Sequence, residues 1–325
     1  RLDEAEAFAE RGLALLRPLR DQLPDTFGLF MCFIALSIVA EGRGQLERAI
    51  GYIQEQETLG LVKFQGRHLN NLAILEMRSG NYVVAQDYAQ RAIEHNRRDG
   101  FLAERVKSLG VLGDAYFFAG DLARAKDAYR EAVGLVRRHG PVNDMDDYAL
   151  WRLGNVALEG GDLEEAEACA RGLLEKPPHP DDARGVALEL LGRVATVRGD
   201  YDGAASYVRQ AIERALEYFG GLAATNLEET WDFWSALLCV GALRLEQGRF
   251  QEAAAVLGFL QSRRLPDALD RAFLERLLAE LGVSWSGEGL EQALQASAGL
   301  TVGDVLRDIL AELASDEGGL ARSAG

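Results

Sequence analysis

LGVLGDAYFFAGDLARAKDAYREAVGLV, residues 109–136, contains two helical patterns separated by a single glycine turn. After the turn, Leu122, Ala125, Tyr129, Ala132, Val133 and Val136 recur at the three- and four-residue intervals of one helix face. Gly120 can adopt the left-handed conformation that ends a helix, and Asp121 can cap the helix that follows. Gly113 before the turn and Ala125 after it leave room for the two helices to approach closely. The stretch therefore predicts a tight helical hairpin.

The same punctuation recurs along the chain. Glycine, a polar residue and a large apolar residue follow one another at Gly44-Gln45-Leu46, Gly80-Asn81-Tyr82, Gly120-Asp121-Leu122, Gly161-Asp162-Leu163, Gly199-Asp200-Tyr201 and Gly248-Arg249-Phe250. The intervals are 36, 40, 41, 38 and 49 residues. Seven residues before each glycine stands a small residue: Ser37, Ala73, Gly113, Gly154, Gly192 or Gly241. Five residues after it stands alanine: Ala49, Ala85, Ala125, Ala166, Ala204 or Ala253. A period of this length marks an array of stacked hairpins, whose core grows along one axis. All seven prolines (Pro18, Pro24, Pro141, Pro177, Pro178, Pro180 and Pro266) fall in or beside connections between repeats, as residues that break helices should. Arg97-Arg98, Arg137-Arg138 and Arg263-Arg264 close three second helices, where cations complement the carbonyl end.

This pattern resembles the tetratricopeptide repeat (TPR) family, through Leu109, Leu112, Gly113 and Tyr116 on the first helix and Ala125, Tyr129 and Ala132 on the second. The family's terminal proline is missing from most units, and the spacing exceeds its usual 34 residues. Longer helices of this kind are similar to the C-terminal arrays of bacterial STAND-type signalling ATPases and LuxR-type regulators. The resemblance implies an all-α fold, a right-handed superhelix of about six hairpins with a C-terminal helical cap. It covers residues 1–262 and implies a binding scaffold, since its motif encodes packing rather than ligand choice.

The two ends depart from the repeat. Arg1-Leu2-Asp3-Glu4-Ala5 aligns with Arg249-Phe250-Gln251-Glu252-Ala253, so the chain is expected to open at the turn of an incomplete hairpin, as a piece of a larger protein. Beyond 262 the glycine mark disappears. A cap over 263–313 is expected, with helices at 267–281, 289–297 and 301–313, the last opened by a capping box of Thr301 and Asp304. Residues 314–325, small and polar, are expected to be disordered.

Composition narrows the function. A net charge of −16 disfavours nucleic acid and anionic membranes, because a phosphate binder needs a positive field. Cys32, Cys169 and Cys239 lie far apart in apolar stretches, read as core residues of a reducing compartment. No signal segment and no apolar run long enough to span a bilayer is present, so a cytoplasmic location is expected. There is no P-loop and no dinucleotide fingerprint, and His68, His95, His139 and His179 stand in separate repeats or connections. No enzyme activity, cofactor or metal is expected.

What remains is the wall formed by the first helix of each hairpin. Counted from the small residue, the positions at −6, −3, −2 and +1 face the groove. They present Arg67, Asn70 and Asn71 in the second repeat, and Lys107 and Asp114 in the third. The fourth offers Tyr148, Trp151, Arg152 and Asn155, and the fifth Glu189 and Arg193. The expectation is a locally positive site for an acidic peptide, a free carboxylate or an acidic protein surface. The first and sixth repeats present Met31, Ile34, Ile38, Leu238 and Ala242, suited to neighbouring helices or another domain. The partner is expected to be a protein or peptide, including another domain of the same full-length chain. The chain reads as the sensor or interaction arm of a bacterial signalling or transcription-regulatory protein. The alternatives are a free-standing adaptor and a small-peptide receptor of the quorum-sensing kind.

Overall fold

The computed structural model describes residues 2–23, 26–61, 65–140, 145–175, 183–219, 231–263, 265, 268–285 and 287–323. Pro24, Pro141, Pro177, Pro178, Pro180, Pro266, His179 and Arg264 lie outside the described residues. The rest is an all-α helical-repeat fold with no strand among the described residues. Helix α1 (Leu2–Leu16) leads through a short 3-10 turn, opened by Pro18, into six glycine-joined pairs. These are α2 (Phe27–Gly42) with α3 (Leu46–Thr58), α4 (Gln65–Arg78) with α5 (Tyr82–Arg98), and α6 (Leu102–Phe118) with α7 (Leu122–His139). They continue as α8 (Met145–Glu159) with α9 (Leu163–Leu174), α10 (Arg184–Val197) with α11 (Tyr201–Phe219), and α12 (Trp231–Glu246) with α13 (Phe250–Gln261). Three further helices follow: α14 (Ala268–Ser284), α15 (Glu288–Ser297) and α16 (Val302–Ser323).

All six marker glycines adopt left-handed φ, between 72° and 81°. The residue after each one sends its amide back five residues, from Asn81 to the Glu76 carbonyl and from Asp121 to that of Tyr116, both at 2.9 Å. This Schellman closure satisfies carbonyls that the helix end would otherwise leave bare. Side-chain capping is narrower than expected. Asp121, Asp162 and Asp200 accept from the amides of Arg124, Glu165 and Gly203 at 3.0, 3.2 and 3.0 Å. Gln45, Asn81 and Arg249 do not cap, and Asn81 donates instead to Glu76 at 2.8 Å. The backbone closure is common to every turn, so the side-chain cap is an addition that only the aspartates make.

The six alanines five residues after the turns are fully buried. At that depth a larger side chain has nowhere to go, because interiors are packed like organic crystals. Opposite them, Ser37 donates to the Ala49 carbonyl at 3.2 Å, and a Cβ on Gly241 would lie 2.6 Å from Leu257.

Two compact units divide the chain, residues 1–156 and 157–325. The division falls inside α8, whereas the glycine marks placed a boundary at 262/263. The first unit contains an apolar cluster of Leu29, Phe33 and Leu61, and another built on Ala40, Ala49, Ile53, Leu72 and Leu75. In the second, Leu274, Leu277 and Leu281 of α14 and Val305, Leu306 and Ile309 of α16 share one core with Trp234, Leu238 and Phe259. The terminal helices are thus continuous with the last hairpins in packing. Leu238 and Ala242 are buried in that core, while Met31 and Ile38 in the first unit are exposed. At the start of α16, Thr301 and Asp304 exchange amide-to-side-chain bonds at 3.1 and 3.2 Å, the expected capping box with Asp in place of Glu. The helix is drawn to Ser323, longer than the 301–313 expected for it. Arg263 does not close a helix end. Its guanidinium donates to the Leu300 carbonyl at 3.0 Å and lies over Phe259, fastening the connection before α16.

Candidate functional site

Nine of the residues singled out by register lie in the first unit, on α4, α6 and α8. Arg67 is exposed and directs both Nε and Nη2 at one oxygen of Glu104, at 3.0 and 2.6 Å. Asp114 is buried and is the hub of a larger network. It accepts from the Tyr129 hydroxyl, from the Tyr148 hydroxyl at 2.5 Å, and faces Arg152 Nε at 3.3 Å. The Arg152 guanidinium lies over the Tyr148 and Trp151 rings at 4.8 and 4.6 Å. Asn155 donates to the Trp151 carbonyl at 3.0 Å. Burial, reinforced by the Asp114 charge, pushes the Tyr129 phenol well up, so it stays protonated and donates. Trp151 and Arg152 are each only 3% exposed. They are interior to the fold rather than spread along an open wall.

The remaining three differ. Asn70 is fully buried, and its carboxamide has no hydrogen bond to any described residue. Asn71 and Lys107 are half-buried, one on each of two first helices, and neither bonds to a described residue.

Glu189 and Arg193 lie in the second unit, on α10. Arg193 bridges Glu189 at 3.4 Å and Glu159 at 2.9 Å. Glu159 also receives Arg276 of α14, with Nη2 at 2.8 Å. The Phe273 ring is approached by both guanidiniums, Arg193 at 4.3 Å and Arg276 at 5.0 Å. Burial pushes the Glu159 carboxyl up. The bonds and charges of Arg276 and Arg193 more than offset this and hold it below its ordinary range. Glu312 of α16 is held low in the same way by Arg249 and Arg244. A carboxyl with a depressed folded pKa adds stability above its unfolded value, near 4.3, and loses it as pH falls through the folded value. Thermal stability of the second unit should therefore drop as pH falls below about 4.5. A Glu159→Gln, Glu312→Gln chain should be less stable at neutral pH and show a shallower drop, measured by melting at stepped pH.

These contacts share a spacing. Arg67 and Glu104 are 37 residues apart, Tyr148 and Asp114 34, and Arg193 and Glu159 34. Each joins one first helix to the next at about one repeat. Arg67, Arg152 and Arg193 each face a carboxylate of the adjoining first helix, Arg152 and Arg193 inside the fold and Arg67 at its surface. Register placed the arginines on a face without showing that a carboxylate of the neighbouring helix stands opposite each one. Glu104, Tyr129, Glu159, Phe273 and Arg276 were not singled out, although opposite charges one repeat apart, as at Glu159 and Arg193, were the available signal.

Among the described residues no three His, Cys, Asp or Glu side chains are grouped to hold a metal, and no helix is long and apolar enough to cross a membrane. Cys169 and Cys239 are buried, Cys32 partly so, and burial pushes the thiols of Cys32 and Cys239 up, away from reactivity.

Comparison with known proteins agrees with this architecture. A Rap protein complexed with Competence and Sporulation Factor superposes with a TM-score of 0.61 at 17% identity, covering 91% of this chain and 78% of the other. The apo quorum sensor NprR from B. thuringiensis gives 0.56 at 14%, covering 95% and 86%. BtubC from P. vanneervenii gives 0.55 at 18%, covering 66% and 91%. At such identities the likeness is one of fold. No curated protein matches the chain in sequence. The model of the MalT-like TPR region matches residues 66–257, more than half of the length, from the start of α4 into α13. The chain belongs to the MalT-like TPR region family.

Proposed function

We propose that this chain is a non-enzymatic protein- or peptide-binding scaffold, the sensor or interaction arm of a larger bacterial signalling or transcription-regulatory protein. The observation that carries the reading is the contrast within the groove register of the first unit. Arg67, Asp114, Tyr148 and Arg152 are committed to one another or to Glu104, which makes that face rigid. Asn71 and Lys107 are left with polar groups not bonded to any described residue. A carboxamide can hold a peptide backbone through both donor and acceptor, and an ammonium beside it selects an acceptor or a carboxylate. A rigid wall with a few uncommitted polar groups suits a ligand whose ordering would otherwise cost affinity.

The small-peptide receptor is the favoured narrower form, because the Rap structure holds Competence and Sporulation Factor on a similar fold. A free-standing adaptor is the other form. The test is selection of binders to the full chain from a phage library of random short peptides. A saturable binder should lose roughly tenfold in affinity on Asn71→Ala or Lys107→Ala, and nothing on Arg130→Ala of the second-helix surface. Equal effects from all three changes, or no saturable binder, would count against the reading.

A further inference from the structure

The groove register of the second unit is already occupied, by α14. Three observations meet there. Arg193, at the +1 position of α10, lies over Phe273 of α14, and Glu159 pairs with Arg276 one turn further along the same helix. Leu274, Leu277 and Leu281 of α14 are buried in one cluster with Leu238 and Ala242, the −3 and +1 positions of α12. The opposite side of α14 (Glu275, Ala279 and Glu280) is exposed. An amphipathic helix lying with its apolar stripe along a face read by register, and its aromatic and arginine on that face's ionic group, has the form of a helix-in-groove ligand.

The neighbouring helices also have attachments of their own. Packing of α15 is directly on α13, where Ser297 and Leu294 crowd Gly258. Glu312 fixes α16 through ion pairs with Arg244 and Arg249, and Val305, Leu306 and Ile309 anchor it in the core. The chain on either side of α14 contains Pro266 before it and Gly287 after it, the latter at φ 106°. The helix is thus an excursion between two fixed elements.

We propose that α14 is a built-in ligand of the second unit, and that the partner of this face is an amphipathic helix of the same design, which displaces it. The partner presents apolar residues at i, i+3 and i+7, matching Leu274, Leu277 and Leu281, with an aromatic one residue before the first and an arginine three residues after that aromatic. A helix lacking the apolar stripe cannot replace α14, because Leu238 and Ala242 would be left bare. One lacking the arginine leaves Glu159 with Arg193 alone. The proposal rests on the scaffold reading above but concerns a different face, on the second unit.

The probe is a fluorescein-labelled synthetic peptide of residues 268–284, added to the full chain. In the wild type the resident helix competes, and binding should be weak. In a Phe273→Ala, Arg276→Glu chain the resident helix is weakened, and the labelled wild-type peptide should bind at least about tenfold more tightly. The same peptide carrying both changes should not bind either chain. If the variant chain is folded by circular dichroism and the wild-type peptide binds it no better than the wild-type chain, the proposal fails. Should that variant fail to fold, hydrogen exchange on the wild-type chain decides: α14 amides must exchange faster than those of α13 and α15, and exchange at the same rate overturns the proposal. Failure here leaves the peptide-library result on Asn71 and Lys107 untouched, and failure there leaves this competition intact.

Discussion

Asp114→Ala should destabilise the first unit by about 3–5 kcal/mol, seen as an earlier urea midpoint. The reasoning starts from burial. Asp114 is 5% exposed and Arg152 3%, so deleting the carboxylate removes a buried counter-charge of the guanidinium and takes from two phenols the acceptor they share. A surface ion pair would be worth less than about 1 kcal/mol, and the difference lies in the desolvation that cannot be undone. Asp114→Asn should fall between, since the amide oxygen keeps one acceptor while the charge is lost. The double change Asp114→Ala, Arg152→Met should recover part of the loss by removing the buried charge that Asp114 balances, a coupling that a double-mutant cycle reads directly. If Asp114→Ala shifted the midpoint by less than about 0.5 kcal/mol, Asp114 would be a solvated wall residue and not a hub.

The same residues show how far the sequence was legible. Turns, helix pairs and the small positions beside them were readable because each depends on neighbours within about a dozen residues: Gly120 ends α6, Asp121 caps α7, and Ala125 meets the helix just before. The face on which Asp114, Tyr148 and Arg152 lie was readable for the same reason, from helical periodicity alone. Their partners were not. Asp114 and Arg152 are separated by a whole hairpin, and periodicity gives a direction without saying what stands there. Arg193 poses the same difficulty with a further step, since its environment includes Phe273 and Arg276 of a helix that carries no repeat mark at all. The path of α14 back onto α12 is a tertiary fact with no local signature.

Two glycines seven residues apart should respond to substitution through different physics, and the contrast tests the hairpin. Gly120 has φ +81° and nothing within 4 Å of where its Cβ would lie. Valine there meets no neighbour, and its cost is backbone strain alone, about 1–3 kcal/mol. Gly113 is the reverse case. It sits inside α6, where alanine would be favoured over glycine by about 1 kcal/mol if propensity decided. But its Cβ would lie 2.6 Å from two ring atoms of Tyr129, and that ring cannot retreat: it is fully buried and its hydroxyl is held by Asp114. Overpacking of about 1–3 kcal/mol, with a bond to a charged acceptor worth about 1.5–3 more, outweighs the propensity gain. Gly113→Ala should therefore be destabilising, and Gly113→Val more so, by roughly 3–4 kcal/mol in urea titration. The decisive measurement is the background dependence. In a Tyr129→Leu chain the obstructing ring is gone, and Gly113→Ala should become neutral or mildly stabilising, while Gly120→Val costs the same in both backgrounds. An equal cost for Gly113→Ala with and without the ring would mean that the two helices do not approach as closely as the small residue implies.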